Sequence, residues 1–234
     1  ANAKKAEAKY ASGKRTRALE GLPIGIKDEN FIKGKPTSSG SLIMKDFVAD
    51  MTSVGNERIL RAGGIVHART ATPEFSSAAY TNSRLWGVTR NPWNPEFTPG
   101  GSSGGSAASL AAGTSAIATG SDIGGSIRIP AGTCGLVGYK PPYGRNSDDP
   151  PFNLDFYCHT GPLARNVSDA ILLQNVMCGP HPKDMASLRP KLRLPAHYPP
   201  IKDWKIAFSM DLGFFEVDPD VQQNTLKALD VFRD

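Results

Sequence analysis

Thr98 to Pro130 reads TPGGSSGGSAASLAAGTSAIATGSDIGGSIRIP, and the rest of the chain is interpreted outward from it. Two glycine-serine clusters, Gly100 to Ser106 and Gly124-Gly125-Ser126, flank an alanine-rich run. Glycine costs backbone entropy, so this many are placed only where the backbone turns sharply or approaches something closely. Serines between such glycines have accessible hydroxyls beside unencumbered N–H groups. These are the parts of a nucleophile and an oxyanion site.

A Gly/Ser cluster is most often a flexible linker. This one is interrupted by Ala107 to Ala112, a good helix former, and by Ala116-Ile117-Ala118, which suits a buried strand. Gly124-Gly125-Ser126 runs straight into Ile127-Arg128-Ile129, which is not linker composition. Neither G-x-x-x-x-G-K-[ST] nor G-x-G-x-x-G occurs, so nucleotide binding has little support.

Together with Gly25-Ile26-Lys27-Asp28 and Asp122 to Arg128, the cluster resembles the signature of the amidase-signature family of serine hydrolases. The separations between Lys27, Ser102 and Ser126 match that family's register. Further matches are Thr72 to Phe75, Arg90 to Pro95, Cys134 to Gly138 with Lys140-Pro141, and Gly161 to Arg165. The resemblance covers most of Gly21 to Gln174. It implies an α/β fold, a mixed β-sheet core covered by helices on both faces. Family members are about twice this long, and the chain starts at Ala1 and ends in Phe232-Arg233-Asp234 within a helical pattern. The expectation is that 1–234 is part of a single domain, cut at both ends and incomplete, with 181–200 as a proline-rich connector.

The wider composition agrees. The 234 residues are 39% hydrophobic and 21% charged, which is globular and enough for a sizeable core. No run is long and apolar enough to span a bilayer, and no secretory leader is read at the start. A net charge of +5 is scattered outside Lys4 to Arg17, without aromatic interleaving, so no nucleic-acid partner is expected. Cys134, Cys158 and Cys178 are odd in number and unpaired in spacing, which suggests reduced thiols and a cytoplasmic protein. The four histidines are isolated and H-E-x-x-H is absent, so neither a metal nor another cofactor is expected.

In order, the pattern predicts a helix over Ala1 to Tyr10 and a buried strand over Ile24 to Asp28. Phe31 to Met51 is a loop. A helix over Ser53 to Arg61 stops at Gly63-Gly64, and a strand follows over Ile65 to Arg69. Pro73 opens a helical turn. A helix is expected over Gly104 to Ala112, a central strand over Ala116 to Thr119, and a turn over Gly120 to Ser126 whose N–H groups converge as an anion nest. A strand at Leu136 to Lys140, a loop from Tyr143 to Tyr157 and a helix over Ser168 to Cys178 follow. Lys205 to Ser209 reads as a strand, and Asp218-Pro219 opens an amphipathic helix.

The resemblance implies a Ser-Ser-Lys triad. Ser126 is the nucleophile, Ser102 relays the proton after a cis Gly101–Ser102 peptide, and Lys27 is the base. A lone lysine is ordinarily a solvated surface residue. Flanked by Ile24 and Ile26, Lys27 would instead be buried, and burial lowers a lysine's pKa toward a neutral amine that can act as a base. The N–H groups of Ile123, Gly124, Gly125 and Ser126 would form the oxyanion hole. Ser103 either orients the relay or bonds local backbone. Arg128 binds a substrate carboxylate or pairs with Asp122. Trp93 is assigned to packing. Phe152, Phe156 and Tyr157 are candidate substrate contacts set against ordinary loop packing.

The resulting expectation is an amidase acting on a small-molecule linear amide, with a homodimer as the family's common assembly. Three rivals stand beside it. One is the glutaminase subunit of a tRNA-dependent amidotransferase, whose usual S-I-R-Q-P-A segment has Ile129 here in place of Gln. Another is a non-catalytic homologue, although all three triad residues are present. The last is a Ser-His-Asp hydrolase, for which no G-x-S-x-G elbow surrounds Ser126.

Overall fold

The computed structural model describes residues 1–202 and 204–232. The chain divides into two compact units, Ala1–Ala196 and His197–Asp234. Within the first lie α1 (Asn2–Ala11), β1 (Pro23–Lys27), α2 (Val54–Arg61), β2 (Ile65–Thr70), the short hairpin β3 (Asn82–Ser83) and β4 (Gly87–Val88), and α3 (Gly104–Ala111). They are followed by β5 (Ile117–Asp122), α4 (Arg128–Cys134), β6 (Val137–Gly138), β7 (His159–Ala164) and α5 (Val167–Met177). The second unit holds α6 (Pro219–Asp230), whose start is capped by Asp218 accepting from the Asp220 N–H at 2.9 Å.

The main sheet has the order β2-β1-β5-β7-β6. β1 runs parallel to β2 and to β5, whereas β7 is antiparallel to β5 and β6. Successive strand residues point to opposite faces, and the packing follows that alternation. Ile117 and Ala164 join Ile24, Ile26 and Ile59 of α2 and Leu173 of α5 in one cluster. Their neighbours Ala118 and Leu163 join Ala107 and Leu110 of α3 and Ala131 of α4 in another. Helices therefore cover both faces. The parallel strands β1 and β5 end together at Lys27 and Asp122, and the carboxyl ends of such strands are where open α/β sheets place ligands.

Several elements depart from the sequence expectation. The predicted turn at Gly120 begins three residues later, at Ile123, because Gly120, Ser121 and Asp122 pair with Gly161, Thr160 and His159 and extend β5. Ile127 to Pro130, with its β-branched residues, leads into a helix. Pro130 falls in its first turn, where a missing N–H costs nothing, and Gly135 ends it at φ 65°. β7 was not expected, since Gly161 and Pro162 disfavour a strand by composition. The Leu136–Lys140 strand shortens to Val137–Gly138. Lys205 to Ser209 forms no strand; among the described residues no segment pairs with it. Residues 181–200 contain no helix or strand beyond a bridge between His181 and Asp184, and the boundary between the units falls within them. The end of the predicted C-terminal helix at Arg233 and Asp234 lies outside the described residues.

Candidate active site

Lys27 closes β1 and is fully buried, at 0% exposure. Ile24 and Ile26 anchor its strand in the core. Its Nζ lies 2.7 Å from Ser102 Oγ, 2.7 Å from Ser121 Oγ and 3.2 Å from Glu29 Oε1. Burial pushes the Lys27 ammonium's pKa down, and the neighbouring Glu29 carboxylate works against that; the balance lies below an ordinary lysine. Burial raises Glu29 in turn, but Lys27 and the hydroxyls of Ser121 and Ser76 hold its carboxyl below the usual range. A neutral amine at Nζ has one lone pair. It can accept from one serine hydroxyl while donating to the other.

Ser102 is buried and follows a cis Gly101–Ser102 peptide immediately before α3. The small residues of α3 permit close approach to the end of β2: a Cβ on Gly105 would meet Ala71 N at 2.3 Å. Through its hydroxyl, Ser103 bonds backbone 18 residues away in sequence and not the local backbone. Its Oγ donates to Ser121 O at 3.4 Å and accepts from Ser121 N at 3.3 Å. That clamp ties the start of α3 to β5, and the Ser103 N–H donates to Ser126 O at 3.2 Å.

The turn from Asp122 to Arg128 is built around one carboxylate. Asp122, at 0% exposure, accepts from the N–H groups of Gly125 (2.8 Å), Ile127 (3.2 Å) and Arg128 (3.3 Å). It also accepts from Arg128 Nε at 2.9 Å and Nη2 at 2.8 Å. Burial pushes this carboxyl up, but the Arg128 side chain and the Ile127 and Arg128 N–H groups outweigh it and hold it below the usual carboxylate range. Arg128 is therefore engaged in an ion pair. Gly125 adopts φ 128°, a conformation side chains rarely take. Its N–H, expected among the oxyanion donors, is committed to Asp122. The N–H groups of Ile123, Gly124 and Ser126 make no hydrogen bond among the described residues, nor does the Ser126 hydroxyl.

These groups open on a cleft of about 160 Å³. The hydroxyls of Ser102, Ser121 and Ser126 line it, as do the rings of Phe31, Phe75 and Phe152 and the carboxylates of Glu29, Asp148 and Asp149. Phe156 and Tyr157 do not line it; Phe156 packs on Tyr143 at 4.9 Å and on Tyr157 at 5.9 Å. Trp93 lies outside the cleft as well and donates through Nε1 to Cys134 O at 2.9 Å. Cys158 also borders the cleft, but burial pushes its thiol up to about 12, so it is no thiolate nucleophile at neutral pH. Glu29, Ser121, Asp148 and Asp149 carry no motif that singled them out in the sequence. Among the described residues no group of three His, Cys, Asp or Glu side chains is placed to hold a metal ion, and no helix is long and apolar enough to cross a membrane.

The mixed sheet thus carries a lysine-serine cluster at the ends of its parallel strands. The chain belongs to the amidase signature family: the family model described as Amidase matches residues 1–234. It is 39% identical over 235 residues to a glutamyl-tRNA(Gln) amidotransferase subunit of Cyanothece sp. (strain PCC 7425 / ATCC 29141), covering 98% of this chain and 48% of that protein. The chain thus spans about half the length of the curated relatives it matches. Among solved structures it resembles a bacterial aryl acylamidase of the amidase signature family, with TM-score 0.76, 35% identity, and coverage of 82% of this chain and 40% of that one. It also resembles 6-aminohexanoate cyclic dimer hydrolase, with TM-score 0.72, 36% identity, and coverage of 80% and 40%.

Proposed function

We propose that the full-length protein hydrolyses a small-molecule carboxylic amide through an acyl-enzyme on Ser126. The observation that carries this reading is the buried Lys27 Nζ, 2.7 Å from Ser102 Oγ, behind a cleft that Ser102 and Ser126 share. Ser126 Oγ attacks the amide carbonyl carbon. Its proton passes to Ser102 Oγ as the Ser102 proton passes to neutral Lys27. The oxygen of the tetrahedral intermediate is received by the free N–H groups of Ile123, Gly124 and Ser126. Each such donor is worth about 3 kcal/mol of barrier. Lys27, through Ser102, returns the proton to the leaving nitrogen as the C–N bond breaks. Water then attacks the Ser126 ester by the same relay, releasing the acid.

In the full-length enzyme, Ser126→Ala and Lys27→Ala should each lower kcat by roughly ten-thousand-fold. A serine-directed fluorophosphonate should label Ser126 alone. Normal turnover in either variant, or labelling elsewhere, removes the mechanism.

The kinship with amidotransferase subunits supports a second reading, a glutaminase that hands ammonia to a tRNA-bound partner. Ile129, where that subunit usually has Gln, weighs toward a stand-alone amidase. Glutamine hydrolysis by full-length protein, together with copurification of a tRNA-binding partner, would reverse this preference.

A further inference from the structure

We infer that Asp148 and Asp149, with Glu29 beside Lys27, form a subsite for a protonated amine carried by the substrate, so that the preferred substrates are amino-bearing amides. The inference rests on the proposed amidase function and names its substrate class. Three carboxylates line the cleft, and its lining contains no Lys, Arg or His side chain. Two of the three hold oxygens that the protein leaves without partners. Asp149 is 6% exposed; its Oδ2 accepts from the Val54 N–H at 3.1 Å, and its Oδ1 has no hydrogen bond among the described residues. Asp148 Oδ1 accepts from the Asp149 N–H at 3.0 Å, and its buried Oδ2 likewise has none.

An uncompensated carboxylate oxygen out of water is costly, and a ligand that supplies the missing donor relieves that cost. Glu29 adds to the demand. Lys27 Nζ lies 3.2 Å from it and Arg69 also acts on it electrostatically; when Lys27 is neutral and ready to act as base, Glu29 keeps the hydroxyls of Ser76 and Ser121 but loses that ion pair. An ammonium brings three N–H donors and a full charge, which matches this wall. Phe31, Phe75 and Phe152 supply the apolar surface for the carbon chain that carries it. A substrate ending in a carboxylate meets like charge instead.

The test uses full-length protein at pH 8, where Asp148 is ionised. Calorimetry compares hexylammonium, hexanol and hexanoate. In parallel, kcat/KM is measured for matched 4-nitroanilides whose acyl chain ends in an ammonium, a methyl or a carboxylate, and for amides carrying the same three ends on the amine side. Hexylammonium should bind about tenfold or more tighter than hexanol, with hexanoate weakest. In one of the two amide series the ammonium substrate should lead by a similar factor, expressed in KM. Asp149→Asn should bring the ammonium preference toward one. Should that variant fail to fold, Asp148→Asn should do the same. Equal binding of hexylammonium and hexanol overturns the subsite even if amides are hydrolysed. A preference that survives both substitutions also overturns it. Tight hexylammonium binding that Asp149→Asn removes, without hydrolysis of any amide, upholds the subsite while the proposed function falls.

Discussion

The 122–128 turn and the 148–152 segment both line the cleft, and they hold their buried aspartates in opposite ways. In the turn, Asp122 is paired with Arg128 and accepts from three backbone N–H groups besides. Its carboxyl stays below the usual range. In the segment, Asp148 faces Asp149 and not a cation. Burial pushes Asp148 up to about 7, against a hydrogen bond from the Asp149 N–H and with the charges of Asp149, Glu29 and Asp184 adding to the rise. The first arrangement is complete without a ligand and fixes the backbone donors of the turn. The second is incomplete: Asp148 Oδ2 and Asp149 Oδ1 are buried without a partner among the described residues, and both residues line the cleft. A satisfied buried carboxylate marks scaffold; an unsatisfied one at a cleft marks recognition.

Removing the scaffold carboxylate should have the largest effect. Asp122→Ala orphans the N–H groups of Gly125, Ile127 and Arg128 and frees the turn that carries Ser126. A stability loss of about 3–5 kcal/mol is expected by denaturant unfolding, with near-complete loss of amide hydrolysis. A variant within about 1 kcal/mol of the parent would show that the turn is held by something other than Asp122, and the contrast between the two segments would fail.

The same contrast explains what could be read from the chain alone. Asp122 sits in an ordered motif whose glycines and serines announce a turn, and Lys27, Ser102 and Ser126 were placed from that register. β1, α2, β2, α3 and α5 were legible because periodic apolar positions are bounded by Gly or Pro. β7 was not, because Pro162 lies inside it opposite Thr119 and only the partners on either side of it make it a strand. The alternation of Lys205 to Ser209 misled for the converse reason, since a strand needs a neighbour to receive its backbone groups. α4 was hidden by Ile127-Arg128-Ile129; the Asp122 carboxylate at its N-terminus and Gly135 at its end decide it. In the site, Ser121 meets Lys27 across 94 residues of sequence, a proximity that only the parallel pairing of β1 and β5 creates. Asp148 and Asp149 read only as part of the Tyr143 to Tyr157 loop because nothing local tells a buried acid from an exposed one.

A smaller effect, with the opposite sign, is expected at Asp148. Its folded-state pKa of about 7 lies above the reference 3.8, so the folded chain holds that proton more tightly than the unfolded one. The stability this gives is full below about pH 4 and is lost as pH rises through 7. Besides Asp149, Glu29 and Asp184, the Cys158 thiol interacts with this carboxyl. Asp148→Asn mimics the protonated form at every pH. The variant should be about 1–2 kcal/mol more stable than the parent at pH 8 and equal to it at pH 4, by denaturant unfolding. No gain at pH 8 would mean that the acid wall is satisfied after all.

The smallest effect is expected at Arg128, and it separates the two roles that the sequence left open for this residue. Its side chain is 55% exposed, and it does not line the cleft. Nε and Nη2 are both committed to Asp122. Arg128→Ala leaves Asp122 with the three backbone donors, and water can replace part of what the guanidinium supplied. The expected cost is therefore about 1 kcal/mol, at the upper end for a solvent-facing ion pair because the contact is two-pronged. KM for a neutral amide should stay within about twofold of the parent, since the substitution removes no group from the cleft. A loss comparable to that of Asp122→Ala would transfer the stabilisation of the turn from the backbone donors to the arginine. A selective rise in KM for carboxylate-bearing amides would place Arg128 in substrate recognition and reverse the acid-wall account of specificity.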